Sequence, residues 1–187
     1  GIQTNSEYDA GLHIQGCDNQ HNVVALNGVP VYNPGHLLGI FSVFNGGHFA
    51  NMQIRKSNVT ADSPNRIGGT VDMRSAGTMD EFGRGKGMYG GNGPHGELSV
   101  GPMSAQATLK TRVGEKTAVI LSAREAYLNL LYSQWIKVDG SPIKYGFGDY
   151  NITLIHQPDE RNSLCVNASY GHDEFSSYDH ESAISTA

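Results

Sequence analysis

Residues Gly11–Phe44 read GLHIQGCDNQHNVVALNGVPVYNPGHLLGIFSVF. Leu12 and Ile14 alternate with His13 and Gln15, the period-two pattern of a half-buried strand, and Gly16 ends it. Val23-Val24-Ala25-Leu26 is continuously apolar and breaks at Asn27-Gly28, the dipeptide that most readily takes the positive φ angles of a tight turn. Val29-Pro30-Val31 resumes an extended course until Asn33-Pro34-Gly35 breaks it again. The stretch therefore encodes a small sheet with two tight reversals.

The motifs in this stretch resemble the plug of TonB-dependent receptors of the Bacteroidetes type. That family carries Arg-Gly-Gly-Asp, a strand ending in Asp-Gly-Val-Pro, then Tyr-Asn-Pro-Ser-His-Leu and Phe-Ser-Val-Phe-Asn. Here the same order appears, without gaps, as Gln15-Gly16-Cys17-Asp18, Asn27-Gly28-Val29-Pro30, Tyr32-Asn33-Pro34-Gly35-His36-Leu37 and Phe41-Ser42-Val43-Phe44-Asn45. A weaker likeness continues through Met52-Gln53-Ile54-Arg55-Lys56 and from Arg66 to Val71-Asp72-Met73. The chain departs from the pattern at Gln15 (Arg in the family), Asn27 (Asp), Gly47 (usually acidic) and Pro64-Asn65 (a Gly pair). Three of these changes remove a charge, so the resemblance does not carry over the family's plug-to-barrel salt bridge.

Beyond Ser75 the composition shifts to the Gly-rich run 83–93 and then to short alternating segments. Ala105, Ala107 and Leu109 oppose Gln106, Thr108, Lys110 and Arg112; Tyr150, Ile152 and Leu154 oppose Asp149, Asn151 and Thr153; Leu164, Val166, Ala168 and Tyr170 oppose Ser163, Cys165, Asn167 and Ser169. Further strands are expected at 97–101 and 117–124. Alternation over roughly 10 residues suits a membrane-barrel strand with one face toward lipid and one toward a wet lumen. It equally suits a soluble sheet with one wet face, and periodicity alone leaves the two open. The plug-like segment favours the barrel. So does the contrast between the short 158–162 link and the long 127–147 stretch, which reads as a loop.

The fold expected from the resemblance is an α+β plug at 1–75, a small mixed sheet with short helices around Gly35 to Phe44. A Gly-rich connection at 76–94 and the first antiparallel strands of an incomplete outer-membrane β-barrel at 95–187 follow it. About 22 strands close around such a plug, and this chain has room for about five, so it reads as an excised or truncated piece. The implied function is binding and import of a scarce nutrient (siderophore, glycan or similar) across the bacterial outer membrane, with TonB-coupled energy. The implied partners are the TonB protein, reached through an upstream segment, a small-molecule or oligosaccharide ligand, and outer-membrane lipid. Cys17, Asp18, Tyr32, Asn33, His36 and His48 are the implied ligand contacts; for Tyr32 and His36, packing against the barrel wall is the equal alternative.

Composition narrows the field. A net charge of −5 without a basic patch argues against nucleic acid, and no run of ~20 apolar residues provides a membrane helix. Cys17 and Cys165 show no paired spacing and are expected to stay unbridged. Gly85-Lys86-Gly87-Met88-Tyr89-Gly90 fits the dinucleotide fingerprint in letters but lacks the flanking strand and helix. The eight histidines form no zinc motif. His172-Asp173-Glu174 reads as part of a solvated acidic tail. No nucleophile, base and orienter assemble, so neither enzyme activity nor a cofactor is expected. The alternative class is a secreted, soluble β-rich binding module, with carbohydrate as its candidate ligand.

Overall fold

A computed structural model describes residues 2–3, 13–14, 17, 21–32, 35–36, 41–42, 45–56, 68–84, 93–127, 137–138 and 141–177. The elements, in order, are β1 (Ile2–Gln3), β2 (His13–Ile14), β3 (Val23–Leu26), β4 (Val29–Val31), β5 (Gly35–His36), β6 (Phe41–Ser42), β7 (Asn51–Arg55) and β8 (Thr70–Arg74). Helix α1 (Met79–Arg84) follows, then β9 (His95–Val100), β10 (Ser104–Arg112), β11 (Thr117–Ala126), β12 (Lys137–Val138), β13 (Ser141–His156) and β14 (Leu164–Ser177). The molecule is mostly β, with two principal sheets.

The first sheet has the order β4-β3-β8-β7 and is mixed, because β3 and β8 run parallel while the other pairs are antiparallel. Asn27 (φ 50°) and Gly28 (φ 82°) form the reversal between β3 and β4, the left-handed pair that two-residue hairpins need. Asn27 has a second task. Its Oδ1 accepts the Ser75 backbone N–H at 2.8 Å and lies 2.9 Å from Ser75 Oγ, tying the turn to the chain as it leaves β8.

The expected short helices around Gly35 to Phe44 are replaced, among the described residues, by strand pairing of Gly35 with Ser42 and His36 with Phe41. Gly35, Gly39 and the β-prone Ile40-Phe41 and Val43-Phe44 disfavour a helix here. The one helix among the described residues, α1, lies instead in the expected Gly-rich connection. Thr78 caps it, accepting the Glu81 N–H at 3.2 Å, and Met79 and Phe82 pack against a cluster of Ala76, Ala118, Ile120 and Ile155. The fingerprint-like 85–90 segment lies outside the described residues.

The second sheet is an antiparallel meander in the order β9-β10-β11-β13-β14, with β12 paired to the first residues of β13. It does not close on itself. Two expected boundaries move. The long 127–147 loop is shorter, because β13 begins at Ser141, and 172–177, expected as tail, continues β14. The latter extension is held by pairing with 143–148 and by the Tyr145 hydroxyl donating to Asp173 Oδ1 at 2.7 Å.

Register places the three alternating segments on one face. Leu98, Ala107, Ala123, Tyr150 and Tyr170 form one row across the five strands; Gly96, Leu109, Leu121, Ile152 and Ala168 form the next. This face is apolar and open: Leu98 is 73%, Tyr170 66% and Ile152 43% exposed. The opposite face is covered and mixed: Thr108, Ser122, Asp149, Asn151 and Thr153 are buried there, as are Ala118, Ile120, Tyr145, Phe147 and Ile155.

Two substitutions separate the roles of Asn27. Asn27→Gly keeps the turn and removes only the oxygen, at an expected cost of about 1–2 kcal/mol. Asn27→Val adds the left-handed strain of a β-branched residue, about 1–2 kcal/mol more. Denaturant unfolding reads both, and equal costs for the two variants would mean that the turn conformation contributes nothing.

Candidate functional site

The buried polar face of the meander meets the segment that leads into β7. Residues Asn45–His48 form a tight turn, with His48 N–H donating to Asn45 O at 3.0 Å and Gly47 N–H to Asn45 Oδ1 at 3.2 Å. The turn lies so close to β10 that a Cβ on Gly47 would stand 2.6 Å from Thr108 Oγ1. That leaves no room for the acidic side chain usual at this position in the resembled family.

His48 is the centre of the contact. It is 2% exposed, edge-on to Phe49 at 5.1 Å, and bonded through both ring nitrogens to hydroxyls of the meander. Nε2 is 3.0 Å from Thr153 Oγ1, and Nδ1 is 3.0 Å from Ser122 Oγ. Thr153 donates its own proton to Asn167 Oδ1 at 2.6 Å, so it accepts from His48. The imidazole is thereby fixed as the Nε2–H tautomer, with Nδ1 accepting from Ser122. From Asn167 the line passes to Ser75, whose hydroxyl donates to Asn167 Oδ1 at 2.9 Å and whose backbone N–H donates to Asn27 Oδ1 at 2.8 Å. One hydrogen-bonded line thus joins β11, the 45–49 turn, β13, β14, the exit from β8 and the β3–β4 reversal.

Two donors along this polar seam lack partners among the described residues: the side-chain N–H groups of buried Asn45 and Asn151. Each such group costs roughly 1–3 kcal/mol, so the seam is less tight than its line of bonds alone would make it. Deeper on the same face Arg124 and Asp149 form a buried ion pair, Arg124 Nε donating at 2.9 Å, and the guanidinium lies 5.1 Å from the Phe147 ring centre. Beside Ser75 and Asn167, Asn51, Gln53, Arg74 and Glu81 border a polar cavity of about 310 Å³. Amides with one cation and one carboxylate suit a small polar solute.

No family model matches the chain, and no curated protein matches it either.

The expected ligand contacts are dispersed. Tyr32 is 90% exposed, as a ligand-facing residue would be. Cys17 is half-buried and bridged to Ile14 through its backbone, and neither it nor Cys165 forms a disulfide. His36 lies on β5 opposite Phe41, while Asp18 and Asn33 fall outside the described residues. His48 faces the meander, not a surface, because its two neighbouring hydroxyls enclose the ring. Ser75, Ser122, Thr153 and Asn167 escaped the sequence reading as site residues. The only signal for Thr153 and Asn167 was membership in the polar half of an alternating pattern; Ser75 and Ser122 carried none. The residues 172–174, read from sequence as one polar cluster, are divided by the pleat: Asp173 pairs in the row of Phe147, His172 and Glu174 in the rows of Gly148 and Gly146.

Burial first, and then the charge of Lys110, push the His48 pKa from 6.5 down to about 4. Between these values the unfolded chain binds a proton that the folded protein refuses. Stability from this residue is therefore complete above about pH 6.5 and is lost as pH falls toward 4, by roughly 3 kcal/mol over the whole window. His48→Gln, which keeps a donor and an acceptor, is expected to flatten the dependence of the urea midpoint between pH 6.5 and 4.5. An unchanged slope in that variant would assign the dependence to other groups.

Proposed function

We propose that this chain forms the plug and the first wall strands of a TonB-dependent outer-membrane receptor, which binds a scarce polar nutrient and admits it to the periplasm. The observation that carries the reading is the open apolar face of the meander, set opposite a covered face rich in polar groups. A soluble sheet leaves its polar face to water and buries its apolar one; this one covers Thr108, Ser122, Asp149, Asn151 and Thr153, beside Ala118, Ile120, Phe147 and Ile155, and leaves leucine, isoleucine, valine and tyrosine open. Lipid on the outside and a hydrated, plug-filled lumen on the inside satisfy both faces. Strand lengths of 9, 10, 16 and 14 residues for β10, β11, β13 and β14 suit tilted membrane strands.

Topology supports the same orientation. The four-residue turn at Gly114 and the 158–162 turn lie at one end, together with Ala76 and α1; the latter turn is held by Asp159 Oδ1 accepting from the Arg161 and Asn162 backbones at 2.9 and 2.8 Å. This is the expected periplasmic end, where a plug passes into its first strand. Under the proposal, the N-terminal sheet is the plug, 76–94 connects it to the wall, and the His48 seam fastens the one to the other. The polar cavity at Arg74 and Glu81 lies where a released solute would leave. A ligand does work on the plug only through a difference in affinity between plug states; the enclosed His48 makes the seam, not His48 itself, the element that must change. The TonB protein would act through a segment upstream of the plug. The soluble-module alternative leaves the apolar face without a solvent that suits it.

The test labels single cysteines at Ile152 and Thr153, in a background with Cys17 and Cys165 replaced by serine, and presents a nitroxide-labelled lipid to the intact protein in membranes. Strong quenching at Ile152 with protection at Thr153 is expected. Equal access of a water-soluble quencher to Ile152, with no lipid quenching, would replace the receptor by a soluble module.

A further inference from the structure

The open face of the meander carries a shallow apolar groove of about 670 Å³. It is floored by the small residues Gly96, Ala107, Ala123 and Ala168 and flanked by Leu98 and Ile152. At the end away from the short turns it reaches Tyr150 and Tyr170. Their rings and that of His172 lie 6.2, 6.2 and 6.1 Å apart, with interplanar angles of 30°, 11° and 28°. Three nearly equal separations close a triangle; a column would give one distance twice the others. The aromatic faces are therefore grouped as a patch.

A carboxylate lies at the foot of the patch. Glu125 Oε2 accepts from the Tyr150 hydroxyl at 2.7 Å, and its Oε1 is 3.8 Å from His172 Nε2. Glu125 and His172 both lie over Gly148, where a Cβ would stand 2.4 Å from Glu125 Oε2 and 2.5 Å from His172 Cε1. A side chain at 148 would displace them. Glu174 follows His172 on the same face of β14, one row further on. Ring faces attract cations, and the two carboxylates add negative charge.

We propose that this groove and patch form a selective lipid site, whose occupant places an acyl chain along Gly96, Ala107, Ala123 and Ala168 and an ammonium head over Tyr150 and Tyr170 beside Glu125. The site rests on the outer-membrane reading and goes beyond it, because a lipid-facing surface by itself requires no head-group preference. Charge decides the class of head: phosphate alone would meet Glu125 and Glu174 with repulsion, whereas an amine meets two carboxylates and two ring faces.

Electron paramagnetic resonance of trace spin-labelled lipids tests it, with the intact protein in phosphatidylglycerol vesicles. Labelled phosphatidylethanolamine is expected to be held about three- to fivefold more strongly than labelled phosphatidylglycerol or a glycosyl diacylglycerol. Glu125→Gln and Tyr170→Leu should each bring that ratio toward one. Ala123→Trp, which fills the groove, should release the held amine-headed lipid without affecting the Ile152 quenching. Equal retention of the three lipids, or preference for the anionic or the sugar head, overturns the site while leaving the membrane reading intact. Absence of any motionally restricted lipid overturns both.

Discussion

The polarity of the meander's two faces constrains everything packed on it. A sheet whose covered side presents Thr108, Ser122, Asn151 and Thr153 cannot be closed by an apolar layer without stranding those groups. It must be met by a surface that supplies donors and acceptors in register. The N-terminal part does this with few residues: a histidine with two usable nitrogens and a serine at the exit of β8, itself held by the oxygen of Asn27. The aliphatic cluster lies at the end where Ala76, Met79 and Phe82 meet Ala118, Ile120 and Ile155. The two parts are thus joined by a hydrophobic clasp at one end and a polar seam above it.

Such a division has mechanical consequences. Separating an apolar contact exposes surface to water at about 25 cal/mol per Å², whereas a parted hydrogen bond is largely replaced by bonds to water. The seam therefore opens at smaller cost than the clasp, and the unpaired Asn45 and Asn151 N–H groups lower that cost further by gaining partners on hydration. If the N-terminal sheet moves relative to the meander, the physical expectation is rotation about the clasp with the His48 side leading. Neutral His48 fits this role, since a charged imidazole would hold the seam partly open at neutral pH.

The strands of the meander were legible because side chains alternate there with the pleat, and alternation survives without knowledge of the partner strands. Tyr150, Ile152 and Leu154 fall on the open side and Thr153 on the covered one, as their period implies. The Asn27-Gly28 reversal was legible for a similar reason, positive φ being a local requirement. What sequence could not give were features decided by distant contacts. The pairing of Gly35 and His36 with Ser42 and Phe41 overrode the expected helix, and β14 ran past Gly171 because 143–148 offered it a partner. At the site, His48 was legible as a residue but not as an enclosed one: its neighbours Ser122 and Thr153 lie 74 and 105 positions away. No local pattern marks a serine or threonine for that contact.

The positions where the chain departs from the family it resembles bear on whether the molecule is a maintained one. Asn27 replaces an aspartate, yet its Oδ1 is fully engaged with Ser75 and its neighbour Gly28 donates to Asp72 at 2.9 Å; a second carboxylate beside Asp72 would add repulsion. Gly47 replaces an acidic residue where Thr108 leaves no space for any side chain. Both changes match what their surroundings demand. Random decay would leave mismatches, such as a bulky residue against β10 or a turn unable to reach positive φ. Local compensation at two separate sites is the pattern of a sequence still held to its packing.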